Sequence, residues 1–334
     1  GILDIKEIII PNNSKLKKIG KSAFSNAKIK SLFIPKSVKK IEGHAFQGCS
    51  KIKTIDFDPN SQLKSIDSYL FSFSSIETIT LPSSVKIIKE YAFRRCENLK
   101  IVQFADNSEL TTIEKYAFDQ SSIETIEIPS SVTNLKEEWF SGAGNLKNMI
   151  VSPRNPKYSD VNHQLILAKS DIKNDVYDSI VFARKDITEI TIPNNIKYIC
   201  SYAFNECSML NSIKFEKESE LQVICKNAFS KTKIKKIVFP QNITMICECA
   251  FQSCDELKIV DFSNCTKLKI IEDEAFSASS IENVNIPANV EYIGENAFSK
   301  CKHLKKFEFN DDSKLNKITK KMFAGSSIEK IVLP

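Results

Sequence analysis

The sequence repeats a short phrase at a regular interval, and this repetition limits the chain to very few folds. A phenylalanine, usually preceded by alanine, marks each copy, and successive markers lie alternately 22 and 25 residues apart, with one longer interval of 64. A period in the twenties is the signature of a solenoid, in which each coil packs only against its neighbours. The marker residues are Phe24, Phe46, Phe71, Phe93, Phe118, Phe140, Phe204, Phe229, Phe251, Phe276, Phe298 and Phe323.

Each coil of 23 or 24 residues opens with an alternation of apolar and polar residues, as in Ile79-Thr80-Leu81. This alternation predicts a short strand with one buried face, and stacked coils would place these strands in one parallel sheet. In the shorter coils a proline such as Pro82 ends the strand because it lacks the N–H donor. A second apolar pair then re-enters the core, and the Ala-Phe segment closes the coil as a turn or short 3₁₀ segment.

The periodicity therefore predicts a single repeat-solenoid domain over residues 1–334, with about thirteen coils. The expected shape is a right-handed arc with the parallel sheet on the concave face and short 3₁₀ or turn segments on the convex side. The chain begins at Gly1 without an initiator methionine and stops within a repeat, so we interpret it as an excised fragment of a longer protein.

The longer coils carry a hydroxyl two residues before the re-entering leucine. A hydroxyl at this point can bond nearby backbone and hold a bend, and no histidine repeats with it, so a structural role is favoured over a catalytic one. The residues concerned are Ser14, Ser61, Ser108, Ser219, Thr266 and Ser313.

Five of the ten cysteines follow a marker phenylalanine by three residues, and all five fall in the shorter coils: Cys49, Cys96, Cys207, Cys254 and Cys301. Equivalent positions then lie two coils apart, about 10 Å, which is too far for the roughly 7 Å between Cα atoms that a disulfide allows. We expect five reduced, buried thiols that pack as small hydrophobes.

Cys200, Cys225 and Cys247 instead share one column in successive coils. A disulfide or a metal is conceivable there, although buried thiols are favoured, because zinc needs four suitably spaced ligands.

Residues 146–186 form an irregular coil with an insertion. Two apolar runs, QLILA and SIVFA, flank the polar segment KSDIKNDVYD, which predicts a hairpin at 163–183 projecting from the solenoid. Trp139, the single tryptophan, replaces the small alanine of the repeat beside this coil. A plug beneath the hairpin is favoured over a ligand contact.

Charge and motifs argue against several classes of function. The net charge of +6 is read as lysines scattered over a solvated surface rather than a nucleic-acid footprint, which would cluster basic and aromatic residues. No apolar run approaches the roughly 18 residues of a membrane span, so direct membrane insertion is not expected. No catalytic constellation and no phosphate-binding loop is present, so we expect no enzyme activity, no cofactor and no metal.

The segment IPSSVKIIKEYAFRRCENLKIV resembles the BspA-like leucine-rich repeats of the Treponema type. The resemblance recurs along nearly the whole chain, although the family's glycine before the Ala-Phe segment is often replaced here, as at Lys89. Family members are surface proteins of bacteria and mucosal protists that are implicated in adhesion. The resemblance thus implies a non-enzymatic module, at the cell surface or secreted, that binds a host protein or matrix. An intracellular scaffold remains an alternative, as does a glycan-binding module, which would need clustered exposed aromatic residues.

The outward positions of the strands form the candidate site, because a solenoid binds macromolecules through its extended surfaces. In coils two to six these positions include Phe33, Asp56, Thr80, Gln103 and Glu127, which differ in character while lying on consecutive strands. We name these five residues the recognition column; the hairpin at 163–183 is the competing site. Three sequons predict glycosylation, at Asn12, Asn242 and Asn264, if the parent protein passes through a eukaryotic secretory pathway.

Overall fold

A computed structural model describes residues 4–142 and 144–333. These residues contain short β-strands joined by turns, and no helix occurs among them. The chain divides between His163 and Gln164 into two compact units. The expectation of a single domain over residues 1–334 stays a prediction, and the two units are described separately.

The described residues of the first unit form thirteen strands. They are β1 (Lys18–Ile19), β2 (Ser31–Ile34), β3 (Lys40–Ile41), β4 (Thr54–Phe57), β5 (Ser65–Ile66), β6 (Thr78–Leu81), β7 (Ile87–Ile88), β8 (Ile101–Phe104), β9 (Thr112–Ile113), β10 (Thr125–Ile128), β11 (Asn134–Leu135), β12 (Asn148–Val151) and β13 (Tyr158–Val161).

The second unit contains the rest. They are β14 (Leu165–Ala168), β15 (Ser179–Ala183), β16 (Glu189–Ile192), β17 (Tyr198–Ile199), β18 (Ser212–Phe215), β19 (Val223–Ile224), β20 (Lys236–Val238), β21 (Met245–Ile246), β22 (Ile259–Asp261), β23 (Ile270–Ile271), β24 (Asn283–Ile286), β25 (Tyr292–Ile293) and β26 (Lys306–Phe309).

Two parallel ladders run along the first unit, as a repeat solenoid requires. The longer strands β6, β8, β10 and β12 form one sheet, and the two-residue strands β5, β7, β9 and β11 form another. In the longer strands the alternation holds, since Ile79 and Leu81 are buried while Thr78 and Thr80 are exposed. The period-two pattern of the sequence therefore sets which side chains enter the core.

The closing segment of each coil is a run of turns, so the 3₁₀ alternative was wrong. In every copy of the repeat the residues two before and two after the marker phenylalanine have positive φ, for example His44 at 62° and Gly48 at 70°. A 3₁₀ helix needs a continuous right-handed backbone. The left-handed residues instead point their N–H groups at the next coil: His44 donates to the carbonyl of Ser68 at 3.1 Å, and Gly48 donates to that of Ser72 at 2.8 Å.

The core of each unit contains a stack of the marker phenylalanines. In the first unit Phe93 lies between Phe71 and Phe118, with ring centroids 5.6 and 5.3 Å away, and none of these rings is exposed. In the second unit Phe251 and Phe276 are 5.2 Å apart and nearly parallel. Most neighbouring coils within each unit therefore share a ring–ring contact between marker phenylalanines.

The insertion forms an antiparallel hairpin from β14 and β15, in which Leu165 lies opposite Ala183. Its strands do not project: every residue of β14 is buried, and β15 pairs in parallel with β17. The expected projection was wrong because β14 is apolar on both faces and needs cover on both. Only the connecting loop around residues 170–176 is exposed.

Candidate functional site

The structure brings the recognition column together on neighbouring strands of the first unit. Phe33 on β2 lies directly opposite Asp56 on β4, and Thr80 on β6 lies opposite Gln103 on β8. Glu127 is on β10, which pairs in parallel with β8. All five side chains are exposed. Because backbone hydrogen bonds hold the strands about 4.8 Å apart, these side chains form a closely spaced and backbone-fixed row.

The recognition column and the strand residues beside it combine polar contacts with exposed apolar side chains. The Thr80 hydroxyl donates to Oε1 of Gln103 at 2.9 Å. Phe33 is 38% exposed, and Ile101 and Ile150 are exposed to a similar degree on β8 and β12. Sequence reasoning did not single out Ile150, which lies opposite Glu127, because it belongs to the irregular coil.

An open depression of about 760 Å³ lies beside this row. Thr80, Gln103 and Glu127 contribute to it, as do Asp106 and Arg154 from the loops that follow β8 and β12. Sequence reasoning missed the two loop residues. Their position in the repeat could have indicated them, because every loop that follows a strand lies at the same edge of a parallel sheet.

A neighbouring column of ion pairs braces the same strands. Glu124 lies between Lys100 and Lys147, and the lysine ammonium groups that donate to it lower the pKa of its carboxyl to about 2. Lys147 Nζ is 3.0 Å from the carboxylate. The pairs link three consecutive coils at their surface.

The hairpin loop offers a second exposed surface, in the other unit. Ile172 and Val176 are each 50% exposed. The base of the loop is held by Asp178, which accepts hydrogen bonds from the backbone N–H of Ser170 at 2.9 Å and from its hydroxyl at 2.6 Å. The loop therefore presents apolar side chains from an anchored base.

The five repeated cysteines are buried and unpaired, in agreement with the spacing argument against disulfides between them. Each thiol also donates to a backbone carbonyl of the preceding coil; the Cys96 thiol donates to Phe71 at 3.1 Å and the Cys254 thiol to Phe229 at 3.1 Å. Burial raises the pKa of Cys96 to about 12. These thiols are protonated donors rather than nucleophiles.

Cys200, Cys225 and Cys247 are free as well, but only half-buried. The thiols of Cys225 and Cys247 are hydrogen-bonded to each other; that bond lowers the pKa of Cys225 and raises that of Cys247. Within residues 4–142 and 144–333, no group of three or more His, Cys, Asp and Glu side chains is placed to hold a metal ion.

Five of the six hydroxyls singled out in the longer coils, all but that of Thr266, have the structural role that their spacing predicts. Ser14 accepts a hydrogen bond from the N–H of Leu16 at 3.1 Å, and Ser108 accepts one from Leu110 at 3.2 Å. The same bond recurs at Ser61, Ser219 and Ser313. The predicted bend is thus a hydroxyl–backbone turn at these positions.

A second aromatic stack lies on the coil corners and was missed by sequence reasoning. His44, Tyr69, Tyr91 and Tyr116 are half-buried, with successive ring centroids 4.7, 4.7 and 5.0 Å apart. The four residues share the left-handed position two before the marker phenylalanine. Because their faces lie against one another, they are not a platform for stacking a sugar.

The three sequons differ in their environments. Asn12 and Asn264 are exposed, whereas Asn242 is half-buried. The Asn242 amide donates from Nδ2 to the carbonyl of Ser219 at 2.8 Å and accepts from Lys267 at 2.7 Å. Glycosylation at all three asparagines stays a prediction, and at Asn242 it would compete with an inter-coil hydrogen bond.

Trp139 is only 2% exposed. Its ring packs against Phe140 at 5.0 Å and against Phe118 at 6.2 Å, so it lies in the core of the first unit. Burial argues against a ligand contact; a position beneath the hairpin stays a prediction. Across the described ranges, no helix has the length and apolar character that crossing a membrane requires.

Stacked parallel strands, one marker phenylalanine per coil and a variable outer row define a leucine-rich-repeat solenoid. The chain belongs to the BspA type leucine rich repeat region family, whose model matches residues 2–100, 64–162, 176–269 and 222–334. The resemblance expected from the repeated phrase is confirmed. No curated protein matches the sequence significantly.

Solved structures of bacterial proteins share the fold. The pneumococcal vaccine antigen PcpA aligns with a TM-score of 0.65 and 23% identity over 91% of this chain and 80% of its own. A leucine rich cell surface protein from Faecalibacterium prausnitzii aligns with a TM-score of 0.58 and 23% identity, over 90% and 86%. A leucine-rich repeat protein from Eubacterium ventriosum aligns at 0.64 and 22%, over 84% and 85%.

Proposed function

We propose that this chain is a non-enzymatic protein-recognition module that acts at the cell surface or after secretion and binds a host protein or matrix protein. One observation carries the proposal: consecutive coils of the first unit present different side chains at equivalent, backbone-fixed positions. Two of its structural neighbours, a leucine rich cell surface protein and a vaccine antigen, support this location.

The composition of the row suits a protein partner. Phe33 and Ile101 supply exposed apolar area, and Asp56, Gln103 and Glu127 supply polar groups around it. Protein interfaces place most of their binding energy in a few such anchors surrounded by polar contacts. A rigid row also loses little conformational entropy on binding.

The test uses immobilised, purified extracellular-matrix and plasma proteins and measures binding of the wild-type chain by surface plasmon resonance. For any protein that binds, the triple variant Asp56→Lys, Gln103→Lys and Glu127→Lys should weaken affinity at least about tenfold, or about 1.4 kcal/mol. Circular dichroism should show that the variant unfolds at the wild-type temperature.

The hairpin loop provides the matched control. Asp171→Lys, Asn174→Lys and Asp175→Lys together change the charge by the same amount as the strand variant, at exposed positions outside the row. This control should bind normally. Normal binding by the strand variant and loss in the loop variant would assign recognition to the hairpin. Binding only to glycans, or only to intracellular proteins, would favour the alternative functions.

A further inference from the structure

The coil register gathers four lysines of the first unit into a line. Lys17, Lys39, Lys64 and Lys86 each immediately precede a two-residue strand, namely β1, β3, β5 and β7. The N–H of Lys39 donates to the carbonyl of Lys17 at 2.8 Å, and that of Lys86 to Lys64 at 2.9 Å. At about 4.8 Å per coil, this lysine column spans roughly 14 Å.

The column is exposed and poorly neutralised. All four side chains are exposed. No carboxylate in the described part of the chain lies within 4.0 Å of Lys17 or Lys39, and Lys64 and Lys86 share one carboxylate, Glu109, at 3.7 and 3.5 Å. An array of like charges at this spacing is favourable to an anion that bridges them.

The surrounding coils add to the positive charge. Lys18 and Lys40 lie directly opposite each other on β1 and β3 and share the carboxylate of Glu42. Residues 1–66 contain thirteen lysines and five acidic residues, whereas residues 67–334 contain 34 basic and 36 acidic residues. The excess charge is therefore concentrated here and not scattered, contrary to the sequence-based expectation.

The fold does not require lysine at the positions of the lysine column. The equivalent position in later coils of the first unit is Thr111 and Thr133. In the second unit the position before each two-residue strand holds Lys197, Gln222, Thr244, Lys269 and Glu291. Threonine, glutamine and glutamate all satisfy the fold at this point, so packing does not explain four consecutive lysines.

We propose that the lysine column binds a linear sulfated polysaccharide laid along the coils. A row of compact ammonium charges at a regular spacing suits a polymer that carries a charge on successive units. Nucleic acid is less well matched, because its recognition draws on arginine forks and on aromatic stacking. The first arginine in the chain is Arg94, and none of the column positions is aromatic. The column is separate from the recognition column, so the two proposals fail independently.

The experiment measures the affinity of the full chain for heparin, a highly sulfated polysaccharide, across a series of NaCl concentrations. The variant with Lys17, Lys39, Lys64 and Lys86 all changed to Gln should bind at least about tenfold more weakly at physiological salt. The slope of log affinity against log salt, which is negative, should become shallower by about three to four, one for each lost contact. Chemically desulfated heparin should not bind the wild type.

A matched control removes the same charge from exposed positions of the second unit: Lys235, Lys258, Lys269 and Lys305 changed to Gln. It should retain heparin affinity within about threefold. Equal losses in the two quadruple variants would overturn the proposal, because binding would then follow net charge alone. Tighter, column-dependent binding of a DNA oligomer or of anionic phospholipid vesicles would overturn it in favour of those partners.

A second readout needs no variant. Heparin should protect Lys17 and Lys39 from an amine-reactive label in the wild-type chain while leaving Lys258 and Lys305 reactive, as measured by peptide mass spectrometry. Uniform labelling in the presence and absence of heparin would contradict the assignment.

Discussion

The turns around each marker phenylalanine, which we call the corners of the coils, are nearly constant in sequence, whereas the outward strand faces vary. At the corner, phenylalanine recurs at the same place in every regular coil, a cysteine follows it in most of the shorter coils, and the backbone takes the same left-handed turns. On the strand face of the first unit, the outward residue changes from phenylalanine to aspartate to threonine along consecutive strands. Corner residues contact a neighbouring coil on both sides and must match it, whereas outward residues contact solvent and are free to differ.

This difference separates the part of the sequence that maintains the solenoid from the part that can distinguish partners. A partner that reads the corners would meet nearly the same chemistry in each coil. A partner that reads the strand face meets a different residue on each strand. Changes at the corner should therefore alter stability, and changes on the strand face should alter binding with little effect on stability.

The largest effect is expected for Phe93→Ala, which removes a buried ring from the middle of the phenylalanine stack. The change should lower the free energy of unfolding by about 3–5 kcal/mol because it leaves a cavity between two rings. Gln103→Ala on the strand face should change it by less than about 0.5 kcal/mol. Urea unfolding followed by circular dichroism measures both, and similar losses would contradict the division.

Cys96→Ser tests the thiol of the corner. The substitution should cost about 1–3 kcal/mol, because it buries a more polar hydroxyl where a sulfur packs. Cys225→Ser, at a half-buried position, should cost less than about 1 kcal/mol. The same urea titration serves both variants.

Thiol labelling of the native protein provides a check on this prediction that needs no mutation. Cys225 should react with a maleimide in the folded state, whereas Cys49, Cys96, Cys207, Cys254 and Cys301 should react only after denaturation. Rapid labelling of all five in the folded protein would show that the corner is open to solvent.

The positive φ values at the corners predict that two substitutions at equivalent positions change the stability in opposite directions. Gly48 has φ of +70°, and a Cβ there would meet Oδ1 of Asn26 at 2.2 Å. Gly48→Ala should therefore cost about 1–2 kcal/mol. Lys300 has φ of 57° at the equivalent position of another coil. Lys300→Gly should add about 0.5 kcal/mol, since it relieves the strain of a side chain at positive φ. Thermal unfolding should show the two shifts in opposite directions.

The smallest effect is expected at the ion pairs of the strand face. The pKa of Glu124 falls from 4.5 to about 2 in the folded chain, so its contribution to stability is present above pH 4.5 and is lost as the pH falls towards 2. The urea midpoint of the wild type should therefore fall slightly between pH 5 and pH 3 relative to that of Glu124→Gln. The difference should disappear in about 1 M salt, where the screening length is near 3 Å. A difference that persists in high salt would assign the effect to another group.

Much of the fold could be predicted from the sequence because its determinants are local. The alternation at Ile79-Thr80-Leu81, the proline that follows and the spacing of Phe71, Phe93 and Phe118 all act within a single coil or through equal coil lengths. Equal coil lengths also predict which outward residues become neighbours, so Thr80 and Gln103 could be paired from sequence alone. The site could not be completed in this way, because Arg154 and Ile150 come from the coil whose length is irregular.

Other contacts were decided only by the tertiary structure, because each depends on which residue lies in the adjacent coil. The thiol of Cys96 donates to the carbonyl of Phe71, and the ring of Tyr91 stacks on that of Tyr69, only after the coils are stacked. Each of these partners lies a full coil away in sequence and is brought close only by the hydrogen bonds between coils. The spacing of the lysine column follows the repeat and could be predicted from the sequence, but only the stacked coils show that its side chains are exposed and that Lys64 and Lys86 share one carboxylate. The amino-acid pattern determines what each coil buries, and stacking determines what the coils present together.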